Sequence, residues 1–264
     1  MFLYSYHLLG DSVFNIGDYV TRKSYDNDII FKIVRIDNEL YYLKGVSVRL
    51  YADSVKEDLL MCDSSLYEDE FAPEIEEYRN LDRNEYFYLP GRILHLDGDK
   101  EYLEQCMSFY KKNKIKAYGL YFREDEMANQ IVTLLRKYNP DILVITGHDS
   151  FSRTKRTKYK NTSSFINSIN EARKYEKSHE KLFIIAGACQ SNYEDLIKAG
   201  ANFASSPKRI NIHALDPAIV AACLSFSNKN HDIDIIKILD KTKYGSDGMG
   251  GIITKGSMYI GYPR

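Results

Sequence analysis

Tryptophan is absent from this 264-residue chain, and no excess of either charge is present: 36 Lys and Arg stand against 37 Asp and Glu, a formal charge of −1. That balance excludes a bulk electrostatic pull toward nucleic acid or an anionic membrane. The 22 tyrosines run beside no Arg/Lys stripe, so they read as half-buried surface rather than a base-stacking platform. The four cysteines, Cys62, Cys106, Cys189 and Cys223, contain no CxxC pair, which argues against a zinc ribbon, a thioredoxin motif or a disulfide framework. No apolar run reaches the roughly 18 residues needed for a membrane span. The opening MFLYSYHLLGD lacks the charged and apolar regions of a secretory signal. Internal repeats are missing too. A reducing cytosolic compartment fits these absences.

What is present is enough apolar material for a packed core, 44% of residues with 28% charged. Residues 13–52 alternate β-branched and aromatic residues, as in IIFKIVRI and LYYLKGV, between the turn signals Gly17-Asp18, Asp26-Asn27-Asp28 and Asp37-Asn38. This predicts a small SH3-like β-barrel over about 1–55. Residues 56–86 are acidic and irregular and read as a linker, a solvated face rather than a binding site. From 87 to 264 strand and helix patterns alternate, which predicts an α/β domain with a mostly parallel sheet flanked by helices. Its final stretch, GMGGIITKGSMYIGYP, reads as a Gly-rich loop and a hairpin.

Two segments of that domain carry chemistry. DILVITGHDS and LFIIAGACQS are short apolar runs that end in small residues and then in one reactive side chain, His148 and Cys189. Buried parallel strands read this way, and their carboxyl ends are where open α/β sheets gather ligands. The two positions lie 189 − 148 = 41 residues apart, enough for one helical crossover of about 30 residues or more. They should therefore end neighbouring strands at one rim, as a thiol nucleophile and its base require. Taken singly, each has a plainer reading as a hydrogen-bonded histidine or a core cysteine. Cys189 just ahead of YEDLIKAG adds an expectation of helix N-terminal N–H groups near the sulfur, suited to an oxyanion. Gly147 and Gly187 leave room for a substrate backbone to approach. Cys106 and Cys223 read as helical core.

The arrangement strand-His, crossover, strand-Ala-Cys resembles the caspase-like cysteine peptidases. HLDGD, PDILVITGHDS, AGACQSNYEDLIKAGANFASSPKRINIHALDP and GDYVTRKSYDNDIIFKI resemble, more closely, the YabG family of sporulation-specific proteases. The resemblance runs from about residue 13 to the C-terminus. It implies a cysteine endopeptidase that cuts after arginine and processes spore coat and germination proteins, in the mother-cell cytoplasm beside the forming coat. His148 carries over as general base and Cys189 as nucleophile. No metal or organic cofactor is implied; the partners implied are protein substrates. In the wider clan a glycine follows the histidine, whereas here Gly147 precedes it and Asp149 follows. A carboxylate there is unfavourable beside an oxyanion unless it points away or pairs; it could orient His148 or meet a basic substrate.

Arginine selection needs a carboxylate able to form a bidentate pair with guanidinium. Asp97 and then Asp99, in the loop after the first strand of the domain, are the candidates. Each has a plainer reading as an N-cap for EYLEQCM, weightier for Asp99 than for Asp97, and Asp97 also reads as a phospho-acceptor of a receiver-like domain. The basic stretch Arg153–Lys160 reads as a solvated loop, or else as a site of self-cleavage or a guard over the cleft. The rival to the whole enzymatic reading is a coat scaffold module that only binds proteins.

Overall fold

A computed structural model describes residues 14–62, 71–73, 75, 87–149, 151–152, 158–159 and 161–261. The basic positions 153–157 and 160, and most of the acidic 63–86 stretch, lie outside the described residues. The chain divides into two compact units, Met1–Glu70 and Phe71–Arg264.

The first unit is a five-stranded antiparallel sheet of β1 (Tyr19–Arg22), β2 (Phe31–Asp37), β3 (Leu40–Gly45), β4 (Tyr51–Val55) and β5 (Leu59–Met61), in the order β4-β3-β2-β1-β5. Asp37 pairs with Leu40 across a two-residue turn, where Asn38 takes the left-handed conformation (φ 54°) that Asn tolerates best among non-glycine residues. Alternation sends Val20, Phe31, Ile33 and Leu43 into one core with Phe14 and Leu59. Leu59–Met61 belongs to this sheet, paired with β1, although its charged surroundings (KED precedes it) give it the composition of a linker.

The second unit is built on a six-stranded sheet. Its elements in chain order are β6 (Phe87–Leu89), β7 (Ile93–Asp97), α1 (Lys100–Lys112), β8 (Ala117–Tyr121), α2 (Glu124–Tyr138), β9 (Ile142–Thr146), the short pair β10 (Phe151–Ser152) and β11 (Lys158–Tyr159), α3 (Thr162–Tyr175), β12 (Phe183–Ala186), α4 (Tyr193–Ala199), β13 (Phe203–Ser205), α5 (Asp216–Phe226), α6 (Ile235–Leu239), α7 (Gly245–Gly248), β14 (Met249–Gly251) and β15 (Tyr259–Gly261). The sheet order is β14-β13-β12-β9-β7-β8, parallel except for β14. The strand order reverses between β7 and β9, the point where a crevice opens at the carboxyl ends of the strands. Among the described residues no helix is long and apolar enough to cross a membrane.

β7, β9 and β12 are buried throughout; β9 and β12 accordingly read as apolar runs, while β7 also buries the polar His95 and Asp97. Leu94, Leu96, Leu143, Ile145 and Ile184 pack with Met127, Ile131 and Leu135 of α2 and with Phe165 and Ile169 of α3. α2 begins with acidic and ends with basic residues, and α1 has Asp99 as its N-cap and Lys111 and Lys112 in its last turn, in keeping with the helix dipole. Every residue of α5, DPAIVAACLSF, is buried, so that helix is core on all sides.

The C-terminal hairpin expected from the sequence does not form. β14 adds to the main sheet against β13, and β15 pairs with β6 instead. The glycines explain β14: a Cβ on Gly251 would sit 2.5 Å from the Phe203 ring and 2.7 Å from the Asn202 carbonyl oxygen, and one on Gly250 would sit 2.8 Å from the Tyr193 hydroxyl. The glycines serve close sheet packing rather than a loop.

Arg173 of α3 fastens the helices to this sheet. Nε donates to Gly200 O (2.8 Å), Nη1 to Leu182 O (2.9 Å) and Nη2 to Asn202 Oδ1 (2.7 Å). Burial pushes its pKa down to about 10, opposed by the nearby Glu176 charge, so at neutral pH a cation remains that is solvated by protein oxygens. Arg173→Met keeps the stem and removes these donors. It is expected to lower unfolding free energy by about 2–3 kcal/mol, measured by urea denaturation, with the slope against denaturant unchanged.

Candidate functional site at the rim of the parallel sheet

Register decides which side chains meet at the crevice. β9 pairs with β12 so that Ile145 is opposite Ala186. His148 lies three residues past Ile145 (148 − 145) and Cys189 three past Ala186 (189 − 186), so the two leave the sheet side by side at the same end. β7 pairs with β9 so that Asp97 is opposite Thr146; Asp99 and His148 each lie two residues further on. The loops after β7, β9 and β12 thus form one rim.

His148 is gripped from three directions. Its backbone N–H donates to Glu124 Oε1 (2.9 Å), and its carbonyl accepts from Asn161 Nδ2 (2.7 Å). Its ring Nε2 lies 2.9 Å from Asp99 Oδ2, with the two side chains 14% and 7% exposed. The ring also tilts against Tyr102 at 5.5 Å between centroids. Asp99 keeps its second oxygen for α1: Oδ1 accepts from the N–H groups of Glu101 and Tyr102. The cap read from sequence and a contact to the histidine coexist on one carboxylate.

Asp97 is completely buried. Oδ1 accepts from Asp99 N–H (2.9 Å) and Oδ2 from the Thr146 hydroxyl (2.9 Å), which in turn lies 2.9 Å from His95 Nε2; His95 Nδ1 reaches the Tyr110 hydroxyl at 3.1 Å. With no exposed surface and both oxygens engaged, Asp97 is out of reach of a phosphodonor, and the receiver-like reading fails on that ground. Its structural work is to hold the loop that carries Asp99.

Asp149 is engaged in a clasp between rim loops. Oδ1 accepts from Asn161 N–H (2.8 Å); Oδ2 accepts from the hydroxyls of Thr162 and of Ser191 (3.1 Å to the latter). Ser191 Oγ accepts in turn from Ala188 N–H, and Thr162 Oγ1 from Asn192 N–H. The loop of His148 is therefore tied directly to the loop of Cys189, and the carboxylate is paired rather than left beside an oxyanion.

Cys189 is fully buried. Its sulfur accepts the N–H of Ile212 at 3.1 Å. The residue after it, Gln190, has a left-handed backbone (φ 58°), and its N–H is taken by Ser206 Oγ at 3.0 Å. Ser206 Oγ also bonds to Ile210 O. Ser206 and Ile212 thus bracket the Cys189–Gln190 turn. α4 begins only at Tyr193, with Asn192 as its N-cap, so three residues separate Cys189 from the helix. The helix start expected at the sulfur is too far along the chain, and the N–H that the sulfur receives comes from Ile212. None of the four cysteines is in a disulfide.

The glycines of the rim have local tenants. A Cβ on Gly147 would fall 2.5 Å from Glu124 Oε1, and one on Gly98 would fall 2.3 Å from it. Gly187 has φ 112°, and a Cβ there would meet Leu196 at 2.9 Å. The space assigned to a substrate at Gly147 and Gly187 is filled by Glu124 and Leu196. Glu124 is the site residue that sequence reading missed. Its acidic neighbours Asp125 and Glu126 made it look like ordinary dipole complementation, while two glycines in adjacent rim loops were the trace of its close approach. Among the described residues no group of three or more His, Cys, Asp or Glu is arranged to hold a metal ion.

The family model described as YabG peptidase U57 matches residues 15–81 and 67–263. The chain belongs to the YabG peptidase family. It is also similar to the sporulation-specific protease YabG of Bacillus subtilis (strain 168), with 40% identity over a 284-residue alignment that covers 95% of this chain and 98% of that protein. No solved structure matches.

Proposed function

We propose that this protein is a sporulation protease of the cysteine type, cleaving protein substrates after arginine, with Cys189 as nucleophile and His148 as general base. The observation that carries this reading is the β9–β12 register, which sends His148 and Cys189 off one edge of the sheet, together with the Asp149–Ser191 bond between their loops. In the reaction the imidazole takes the Cys189 proton and the sulfur attacks the scissile carbonyl carbon. The imidazolium then protonates the leaving amine, and water hydrolyses the thioester through the same base. The Cys189 thiol faces the Ile212 backbone, accepting its N–H at 3.1 Å and donating to its carbonyl oxygen at 3.7 Å. Since Cys189 is fully buried and its sulfur is engaged by Ile212, substrate entry requires the loop that carries Ile212 to move aside.

Three carboxylates border the crevice. Glu124 is only half-buried while Asp97 and Asp99 are buried, so Glu124 is the best situated to meet an arginine guanidinium. The layout is read as caspase-like, and the antiparallel unit as an SH3-like barrel that recruits substrate. Spore coat and germination proteins are the proposed substrates, met in the mother-cell cytoplasm beside the forming coat.

The burial of Cys189 is also what a non-enzymatic coat scaffold would have. An arginine-ended peptidyl chloromethyl ketone separates the two. The expected result is one covalent adduct, mapped by mass spectrometry to Cys189, with proteolysis lost in proportion to labelling. Labelling of Cys189 only after denaturation would favour the scaffold.

A further inference from the structure

We propose that Asp99 is the positioning residue of the site, fixing the tautomer of His148 so that Nδ1 is the nitrogen that receives the Cys189 proton. This rests on the reading of Cys189 and His148 as nucleophile and base. A carboxylate only accepts hydrogen bonds, so the 2.9 Å contact of Asp99 Oδ2 assigns the ring proton to Nε2. Nδ1 then carries the lone pair. When the thiol proton moves to Nδ1 the ring becomes a cation with both nitrogens protonated, and its Nε2–H lies against a carboxylate.

The Asp99 carboxylate is itself immobilised. Its other oxygen caps α1 through Glu101 and Tyr102, where the positive end of a 13-residue helix stabilises a negative group. Its own N–H is held by Asp97, and Asp97 is held by Thr146, which belongs to the strand that carries His148. The acid and the imidazole are therefore referenced to the same pair of strands, β7 and β9. Glu124 acts on the backbone of His148, and Asp149 bonds elsewhere, so Asp99 is the carboxylate seated on the ring. The N-cap role alone does not explain this seat, because a serine would cap α1 as well.

Asp99→Asn tests the assignment with little change of shape. The amide oxygen still caps α1, but the amide nitrogen donates, which forces the ring proton from Nε2 to Nδ1 and removes the acceptor that the thiol needs. The expected results are a loss in kcat of roughly 10³–10⁴-fold, KM within about threefold, and an unchanged cooperative melt. Nitrogen-15 spectra of histidine-labelled full-length protein are expected to give His148 as the Nε2–H tautomer before substitution and Nδ1–H after it. Asp99→Ser keeps a capping oxygen that cannot reach the ring, and is expected to lose activity equally while α1 stays formed. An Asp99→Asn protein that keeps its turnover, or that loses turnover only with a raised KM and an unaltered tautomer, overturns the proposal. An active Cys189→Ala protein would instead overturn the peptidase reading itself, whatever Asp99 does.

Discussion

Cys189→Ala is expected to abolish hydrolysis of an arginine-containing chromogenic peptide, by roughly four to six orders of magnitude, while the protein remains folded. The size follows from the role: without a covalent nucleophile only binding and any oxyanion donors are left to act. Folding is expected to survive because the change removes one sulfur and its two contacts with the Ile212 backbone, an accepted N–H and a long donation to the carbonyl oxygen, a cost of about 1–3 kcal/mol. Cys223 provides the matched control. It is equally buried, inside the wholly buried α5, and distant in sequence from the rim loops. Cys223→Ala is expected to cost a similar stability and to retain full turnover. Equal hydrolysis by wild type and Cys189→Ala would mean that another residue is the nucleophile.

The burial that makes this substitution cheap in activity terms for Cys223 also marks the limit of sequence reading at Cys189. Apolar runs mark β9 and β12, because strands buried on both faces carry an unbroken hydrophobic signature. A signature of that kind places residues on strands, and the connection lengths between strands make neighbours of them. Contacts made by loops have no period. Nothing in SPKRINIH foretells that Ile212 donates to the Cys189 sulfur, or that Ser206 secures Gln190. Asp99 shows a different limit: cap and ligand-facing acid look like alternatives in the sequence, yet a carboxylate has two oxygens and uses one for the cap and one for His148. Glu124 and the C-terminal strands failed for one shared reason. Glycine in a sequence suggests room for a loop or a substrate, whereas Gly147, Gly250 and Gly251 give their room to neighbouring protein atoms. Leu59–Met61 was hidden by charge, since an edge strand with one buried residue has too few apolar positions to announce itself.

Asp149→Ala is expected to be the most damaging change to stability at the rim, lowering unfolding free energy by about 3–5 kcal/mol. The carboxylate is 6% exposed and takes hydrogen bonds from Asn161 N–H, the Thr162 hydroxyl and the Ser191 hydroxyl. Its removal leaves three donors in a region with little access to water. For a domain of this size that shift corresponds to a fall in melting temperature on the order of 10 °C. Asp149→Asn preserves the acceptor for Asn161, and Thr162 and Ser191 can rotate to accept from the new amide, so its cost should be about 1–2 kcal/mol. The order of the two variants carries the argument. If Asp149 joins the His148 loop to the Cys189 loop, stability and kcat fall together and fall further for alanine than for asparagine. If it met a basic substrate instead, loss of charge alone would raise KM equally in both variants and leave the melt untouched. Calorimetry beside steady-state kinetics on the two proteins distinguishes a structural clasp from a substrate contact.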